Sequence, residues 1–344
     1  QVYMGRIGRI VKKFFYFPVT TVALLLTSCT NILVHDAEED GVDGMAIDFR
    51  TPALTRVAIE SFTPGSSFSV WGWYVPEDAA NEVFNATTVS TPDGSVWTYE
   101  GLRYWKADKT YSFYALYPSV TDLMANAATA AHYDEDGDLS VTAFDASKGY
   151  DLMAASALNI SGSNTGKVAF TFGHLLARVE FVVKRNAAAD GIEGFNPVIH
   201  SAKLYGMHKT ADFSASAADL IDKEVISAGW TISTDESDRT TKNEPFAVLS
   251  EEISVNADGT TLIDALLFPQ DLTIEYYFEV TYSSASDREP CTSTVPLVSL
   301  PLTTWEAGKH YRYTFTVSDE DRILFDTPTV NAWGEATGGI IIVE

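Results

Sequence analysis

Cys29 is the residue whose surroundings point to the most definite chemistry. It closes the run Leu26-Thr27-Ser28-Cys29, which follows an apolar stretch. Two small residues placed directly before a cysteine are similar to the lipobox of bacterial lipoprotein precursors, in which the cysteine is diacylated and becomes the new N-terminus. The run therefore predicts a lipid attached at Cys29.

The residues before Cys29 have the organisation of an export signal. We expect translation to start at Met4. The apolar stretch Phe14 to Leu26 is too short to span a bilayer, which needs about 20 residues. Residues 1–28 are therefore predicted to be a lipoprotein signal peptide, while an ordinary secretory signal would predict export without an anchor. The charged start of the signal consists of Arg6, Arg9, Lys12 and Lys13.

Other residues that could do chemistry form no strong motif. Cys291 is the only other cysteine, so an acylated Cys29 leaves it without an intramolecular disulfide partner. We interpret Cys291 as a strand or loop residue rather than a nucleophile, although His174, His200 or His310 could meet it in space. His174 lies within an apolar stretch, and we interpret it as a hydrogen-bonded core residue.

The acidic run from Asp134 to Asp138 is similar to a calcium-binding loop. However, Leu139 stands at the sixth place, where the sharp turn of such a loop needs glycine, and Gly137 comes two places early. We therefore interpret the run as a solvated turn. The sequence also lacks the metalloprotease, serine-hydrolase and phosphate-loop motifs. We predict no enzyme activity, no metal and no cofactor.

The charge of the chain excludes one class of partner. From Cys29 onward it carries 19 basic and 47 acidic residues, a formal net charge of −28. Affinity for nucleic acid depends on lysine and arginine neutralising phosphates, so we predict no nucleic-acid partner. Such acidity is typical of a solvated secreted surface.

The elements that must position these residues are mostly β-strands. Predicted strands in the first part follow one another at short spacing, each bounded by Gly, Pro, Asn or Asp, which is the pattern of an all-β sandwich. Two short stretches, 121–131 and 215–221, have helical periodicity. The predicted strands are Met45 to Phe49, Arg56 to Phe62, Ser67 to Tyr74, Val96 to Tyr99 and Thr110 to Tyr117.

A second series of strands starts at Lys167. Val168, Phe170 and Phe172 alternate with polar or small residues, and such alternation buries one face of a strand. This segment extends to Lys184, and Val179, Phe181 and Val183 alternate after an interruption at Gly173-His174. The later predicted strands are 201–205, 262–268, 273–282, 311–317, 329–333 and 339–343.

The length of the chain favours two domains, because single cores stop growing at about 250 to 300 residues. Residues 29–44 include five carboxylates and little apolar content, which predicts a flexible acidic tether. We place an N-terminal β-sandwich at residues 45–164 and a C-terminal one at residues 165–344. The aromatic residues Trp71, Trp73, Tyr74, Trp97 and Trp105 are interpreted as core residues rather than sugar-stacking platforms.

Several separated segments together resemble the fimbrillins, or type V pilins. They occur in the order of that family and span nearly all of the chain after Cys29. Besides the lipobox, they are Thr55-Arg56, Phe68-Ser69-Val70-Trp71-Gly72, the run Tyr111 to Pro118, Asp151-Leu152-Met153, the run Phe170 to Ala177, Phe268-Pro269-Gln270, the run Trp305 to Tyr311, and Val330-Asn331-Ala332-Trp333.

This resemblance implies a fold, a location and partners. The fold would be two tandem transthyretin-like β-sandwich domains. The protein would be an outer-membrane lipoprotein, held by the lipid on Cys29, and a subunit of a cell-surface pilus that supports adhesion. Its partners would be other pilin subunits, an Arg-specific protease and a receptor on a host or bacterial surface.

The resemblance also implies a mechanism of assembly. In fimbrillins a trypsin-like protease removes the first strand, and a donor strand from a neighbouring subunit fills the open groove. Arg56 is the leading cleavage site and Arg50 the second, although Arg56 could also be an ordinary exposed residue. The candidate donor strand is Ile340, Ile341, Ile342 and Val343, an apolar run that could instead be a central strand of its own domain.

Two alternatives to a polymerising subunit stay open at this point. The chain could be a surface lipoprotein that binds glycans or host proteins without assembling. It could also be a tip or anchor subunit of the same pilus. A fixed N-terminal strand without a protease-dependent polymer would favour the first alternative. A tip subunit need not donate a strand, so the apolar C-terminal segment favours a stalk or anchor-proximal position.

Overall fold

The computed structural model describes residues 45–51, 62–75, 82–163, 166–186, 195–220, 227–285, 287–319 and 322–333. Most of these residues lie in β-strands, so the prediction of an all-β fold is confirmed. Among the described residues, no helix is long and apolar enough to cross a membrane.

The first half of the described chain contains ten strands and one α-helix. Helix α1 (Val120–Asn126) begins after Ser119, whose hydroxyl accepts a hydrogen bond from the backbone N–H of Asp122 and so caps the helix. The strands are β1 (Phe49–Arg50), β2 (Ser67–Val75), β3 (Glu82–Ser90), β4 (Thr110–Tyr117), β5 (Ala130–Tyr133), β6 (Leu139–Asp145), β7 (Met153–Ser161), β8 (Val168–Ala169), β9 (Gly173–His174) and β10 (Ala177–Arg185).

The second half adds thirteen strands among the described residues. They are β11 (Val198–Tyr205), β12 (Thr210–Ala215), β13 (Trp230–Ile232), β14 (Ala247–Leu249), β15 (Ile253–Ser254), β16 (Thr260–Leu267), β17 (Gln270–Asp271), β18 (Tyr277–Ser283), β19 (Cys291–Pro296), β20 (Thr304–Trp305), β21 (Lys309–Val317), β22 (Ile323–Phe325) and β23 (Thr329–Ala332). Short 3-10 helices occupy Ala146–Lys148, Ser227–Gly229, Glu236–Asp238 and Leu297–Ser299.

A five-stranded sheet with the order β3-β2-β4-β7-β9 is buried on both faces. Along β2, Phe68 and Val70 face one core, whereas Trp71 and Trp73 face another. This division follows from the period of two along a strand, which sends successive side chains to opposite faces. Trp71, Trp73, Trp97 and Trp105 are all buried, which confirms their interpretation as core residues.

The core around Trp71 lies between this sheet and a four-stranded sheet with the order β13-β12-β6-β5. Its members come from distant parts of the chain, because β6 pairs antiparallel with β12. Thus Phe144 packs near Trp230, with ring centroids 5.8 Å apart. These pairings cross the predicted boundary at residue 164, and the division into two domains stays a prediction.

A separate core lies between two sheets formed by the second half of the chain. One sheet has the order β16-β10-β21-β22, with β23 also on β21, and the other has the order β14-β11-β18-β19, with β15 on β11. Phe181 of β10 stacks on Phe278 of β18, with ring centroids 4.1 Å apart. These two sheets form a β-sandwich around that core.

Two local predictions need correction. Residues 96–99 do not form a strand, because only Thr98 bridges to Ser90. The carboxylate of Asp93 instead accepts hydrogen bonds from the backbone N–H groups of Ser95 and Val96, which folds this segment into a loop and lowers the pKa of Asp93 to about 2. The predicted helix over 121–131 ends early, and β5 replaces its last turn because those residues pair with β6.

Candidate functional site

The segment from residue 45 to residue 50 forms the candidate site. Its side chains alternate from Ile47 onward: Ile47 and Phe49 are 0% and 1% exposed, whereas Asp48 is half-buried and Arg50 is exposed. Alternation of this kind is what a strand with one buried face requires. The predicted first strand therefore exists as an extended segment, of which Phe49–Arg50 forms β1.

One edge of the segment is hydrogen-bonded to residues 103–105. The backbone N–H of Ile47 donates to the carbonyl of Arg103 at 2.8 Å, and the N–H of Trp105 donates to the carbonyl of Met45 at 3.2 Å. Ala46 and Tyr104 form an antiparallel bridge between these two hydrogen bonds.

The other edge is hydrogen-bonded to β8, which runs parallel to β1. The N–H of Val168 donates to the carbonyl of Asp48 at 2.7 Å, and the N–H of Phe170 donates to the carbonyl of Arg50 at 3.0 Å. The segment is thus an inserted strand with backbone partners on both sides. We call it the inserted strand, and we call its two neighbours, residues 103–105 and 168–170, the two walls.

Aromatic rings form the floor beneath the inserted strand. The ring of Phe49 contacts Phe84, Tyr99, Phe113 and Phe170, with centroid distances of 5.2, 5.7, 6.0 and 5.6 Å. Aromatic pairs at these separations contribute beyond their buried area. The main attachment of the inserted strand is therefore apolar.

One side chain adds a polar attachment to the inserted strand. The hydroxyl of Tyr99 donates to the carbonyl of Ile47 at 2.6 Å, and the N–H of Arg103 donates to the same hydroxyl at 3.3 Å. Burial raises the pKa of Tyr99 above its ordinary value, which already lies well above neutral pH, so the hydroxyl is protonated and can donate. On the surface, Lys167 lies 3.8 Å from Asp48, and such an exposed ion pair contributes little.

The chain after the inserted strand returns to the same core. Phe62 is buried and packs edge-on against Trp97, Tyr117 and Phe172. The indole Nε1 of Trp97 donates to the hydroxyl of Thr51 at 3.2 Å.

The structure describes one of the predicted site residues, and the others lie outside the described residues. Arg50 is exposed at the end of β1, and its carbonyl is the acceptor of the Phe170 hydrogen bond. Cys29, Arg56 and the run Ile340, Ile341, Ile342 and Val343 lie outside the described residues. Their roles stay predictions.

Sequence reasoning missed the wall at residues 103–105. It contributes a single bridge rather than a regular strand, so it carries no alternation that could have revealed it. The wall at Val168 was detectable, because the alternation of Val168, Phe170 and Phe172 predicted a strand there. The structure shows β8 at Val168–Ala169, with Val168 and Phe170 buried.

The other candidate sites have structural roles. Asp134 accepts hydrogen bonds through one carboxylate oxygen from the N–H groups of Asp136 and Asp138, which shapes the hairpin turn between β5 and β6. His174 is buried, with its Nδ1 2.9 Å from a carboxylate oxygen of Asp151. No group of three or more ligating side chains in the described part of the chain is placed to hold a metal.

The fold and the site define a class of protein. This is an all-β protein of stacked sheets in which an N-terminal strand, and not a catalytic cluster, is the candidate functional element. The model of the fimbrillin-like family matches residues 55–333. The chain belongs to the fimbrillin-like family.

Two solved structures share the fold at low sequence identity. A candidate cell adhesion protein from Bacteroides uniformis is 18% identical, with a TM-score of 0.52 over 86% of this chain and 100% of that one. A second from Bacteroides ovatus is 17% identical, with a TM-score of 0.51 over 89% and 100%. The tip fimbrial protein Mfa3 from Porphyromonas gingivalis, with a C-terminal truncation, is 8% identical, with a TM-score of 0.36 over 84% and 98%. No curated protein sequence matches this chain.

Membership of the fimbrillin-like family indicates the general role of this chain. It makes this chain a pilus-related adhesion protein of the cell surface, with a structural rather than an enzymatic role. Its partners as a class are other pilin subunits.

Proposed function

We propose that this chain is a structural subunit of a cell-surface pilus that polymerises by protease-triggered donor-strand exchange. The observation that supports the proposal is the inserted strand, whose Ile47 and Phe49 are buried while its backbone is hydrogen-bonded to both walls. Removing such a strand exposes unpaired backbone groups on two sides and an apolar floor, and strand addition resolves that situation.

Cleavage after Arg56 or Arg50 would cut the inserted strand away from the rest of the subunit. At Arg50 the protease would first have to break the hydrogen bond from the N–H of Phe170, because Arg50 is paired in β1. Proteases act on extended segments whose backbone is accessible, so cleavage at Arg50 requires prior local opening of β1.

The donor in this proposal is the run Ile340 to Val343 of a neighbouring subunit. The groove has one buried face, so an added strand would bury two of these four side chains, which stabilises the complex by about 3 to 6 kcal/mol before the ordering of the strand is subtracted. New ladder hydrogen bonds to the two walls would add to this. Assembly would then need no external energy source.

The location follows from the lipid proposed on Cys29. A diacylated cysteine would hold the subunit at the outer membrane through the acidic tether at residues 29–44, and cleavage would separate the folded part from that anchor. The folded part would then be joined to the pilus through neighbouring subunits alone. A receptor on a host or bacterial surface completes the proposed set of partners.

Limited digestion of residues 30–344 with an Arg-specific protease tests the proposal. We expect a new N-terminus at residue 57 or 51, followed by heat-labile multimers on denaturing gels. The cleavage site is identified by the substitutions Arg56→Lys and Arg50→Lys, each of which keeps the charge but removes the arginine that the protease recognises. Arg288→Lys is the matched control.

Two results would count against the proposal. A chain that resists the protease and stays monomeric would favour a non-assembling surface lipoprotein. A chain that is cleaved at the expected site without forming multimers would favour a tip or anchor subunit.

A further inference from the structure

A cleft separate from the inserted strand lies where parts of both halves of the chain meet. Its volume is about 570 Å³, which is within the range of small-molecule sites. Elements from 62–66, the end of β4, the start of β7, β10, β14 and β16 contribute to its lining, among the residues that the structure describes. The charged and aromatic residues of the lining include Tyr117, Asp151, Arg178, Phe246, Asp264 and Trp333.

A second hollow of about 340 Å³ adjoins the cleft. The two share Thr63, Ser66 and Tyr117 in their linings and therefore lie side by side, and we call the cleft and the second hollow together the trough. Asp122 and Tyr150 line the far end of this trough. Two adjoining hollows fit a chain of linked units better than a single compact molecule.

The charged groups of the cleft are already paired within the protein. The guanidinium of Arg178 donates to both carboxylate oxygens of Asp264, at 2.9 and 2.6 Å. Asp151 lies 2.9 Å from Nδ1 of His174. An anionic ligand would meet two carboxylates, so the arrangement favours a ligand that donates hydrogen bonds and carries no negative charge.

These paired groups still have hydrogen-bonding capacity for a neutral ligand. A carboxylate can accept about four hydrogen bonds, and the contact of Asp151 with Nδ1 of His174 uses only part of that capacity. Hydroxyl groups on Thr63, Ser66 and Tyr117 can both donate and accept. The trough therefore matches a ligand with many hydroxyl groups.

Aromatic rings supply the apolar part of the lining. Tyr117 and Phe246 are half-buried and line the cleft, and the ring of Tyr117 packs edge-on against Phe62. One face of Trp333 is covered by His174, whose ring is parallel to it at 3.8 Å between centroids. A flat apolar ring next to hydrogen-bonding groups is suited to a pyranose, which has an apolar C–H face and hydroxyls around its edge.

We propose that this trough binds a neutral oligosaccharide. Tyr117 and Phe246 would contact the apolar faces of the sugar rings, and Asp151 and Asp264 would accept hydrogen bonds from their hydroxyls. The site is formed by a single subunit, and none of its residues belongs to the inserted strand or its walls. Binding is therefore independent of strand exchange, and either proposal can fail without the other.

Saturation-transfer NMR on the purified, uncleaved chain tests this inference. The probes are maltotriose, cellotriose and chitotriose as neutral trisaccharides, and sialyllactose as an anionic one. We expect saturation transfer to at least one neutral probe and weaker transfer to sialyllactose. Asp151→Asn should weaken binding of that neutral probe about tenfold, the effect of losing one hydrogen bond to a charged group.

Two further variants distinguish a loss of sugar binding from a loss of folding. Tyr117→Phe keeps the ring and removes only the hydroxyl, and it should also weaken binding. Val248→Ala is the matched control, because Val248 lies next to the cleft in β14 but is 54% exposed and does not line it. Each variant is first checked for an unchanged thermal transition.

Three results would overturn the inference. They are an absence of transfer to all three neutral probes, transfer that is unchanged in both Asp151→Asn and Tyr117→Phe, and stronger transfer to sialyllactose than to any neutral probe. Transfer to a neutral probe that is lost in the cleft variants and kept in Val248→Ala would support it.

Discussion

Phe49 of the inserted strand stacks on Phe170 next to β8, with ring centroids 5.6 Å apart and planes inclined by 17°. The first residue belongs to the segment that we propose is removed, and the second belongs to a wall that would remain. This ring contact and the hydrogen bond from the N–H of Phe170 to the carbonyl of Arg50 hold the same junction together.

Phe49→Ala should therefore lower the free energy of unfolding by about 3 to 5 kcal/mol, because it leaves a cavity among four aromatic rings. Urea unfolding of the uncleaved chain measures this effect. Met45→Ala is the control, since Met45 is 46% exposed and its removal should change the stability by less than about 0.5 kcal/mol. Equal effects of the two substitutions would contradict the proposed role of the buried face.

Deleting residues 338–344 should leave a folded subunit that does not polymerise after cleavage. The physical reason is the loss of the apolar run Ile340 to Val343 as the proposed donor. Native electrophoresis of the digested protein follows assembly, and circular dichroism follows folding. Removal of Glu344 alone is the matched control and should leave polymerisation intact. Multimers formed by the longer deletion would exclude this run as the donor.

Glu180 should make the stability depend on pH. Burial raises the pKa of its carboxyl, but hydrogen bonds from His310, Arg312 and Thr261 outweigh burial and hold the pKa well below its ordinary value of 4.5. Ionised Glu180 therefore stabilises the fold above pH 4.5, and this contribution is lost as the pH falls from 4.5 towards the folded-state pKa.

Glu180→Gln should lower the stability at pH 7 by about 1.5 to 3 kcal/mol, the range for hydrogen bonds to a charged group. The difference from the natural chain should shrink below pH 4.5, as denaturant titrations at several pH values would show. Asp264→Asn is the comparison on the neighbouring strand, because its more exposed pair with Arg178 should contribute only about 0 to 1 kcal/mol. A difference that stays constant from pH 7 to 3 would refute this assignment.

Gly137→Ala should destabilise the hairpin between β5 and β6. Gly137 has a φ of +83°, and an added Cβ would lie 2.4 Å from the ring of Tyr114, which packs in the core. We expect a loss of about 1 to 3 kcal/mol in thermal or urea unfolding. Gly149 has a similar φ of +72°, but an added Cβ there would have no atom within 4 Å. Gly149→Ala therefore measures the cost of the backbone conformation alone. Equal losses in the two variants would mean that the approach to Tyr114 is unimportant.

The sequence alone determined the elements that depend on local alternation. The pattern of Val179, Phe181 and Val183 predicted a strand with a buried face, and all three are fully buried in β10. Ile47 and Phe49 likewise follow the period of two within the predicted first strand. Local alternation is sufficient here because a strand with one buried face has apolar residues at every second position, and this pattern is visible in the sequence.

Only the tertiary structure decided which strands pair. β6 and β12 are joined although their residues are about 70 positions apart, as in the pair Phe144 and Ala211. The two walls of the inserted strand also come from segments far apart in the chain, and so does the lining of the trough. Such contacts depend on hydrogen-bonding partners and core shape across the whole fold, which no local pattern of apolar and polar residues specifies.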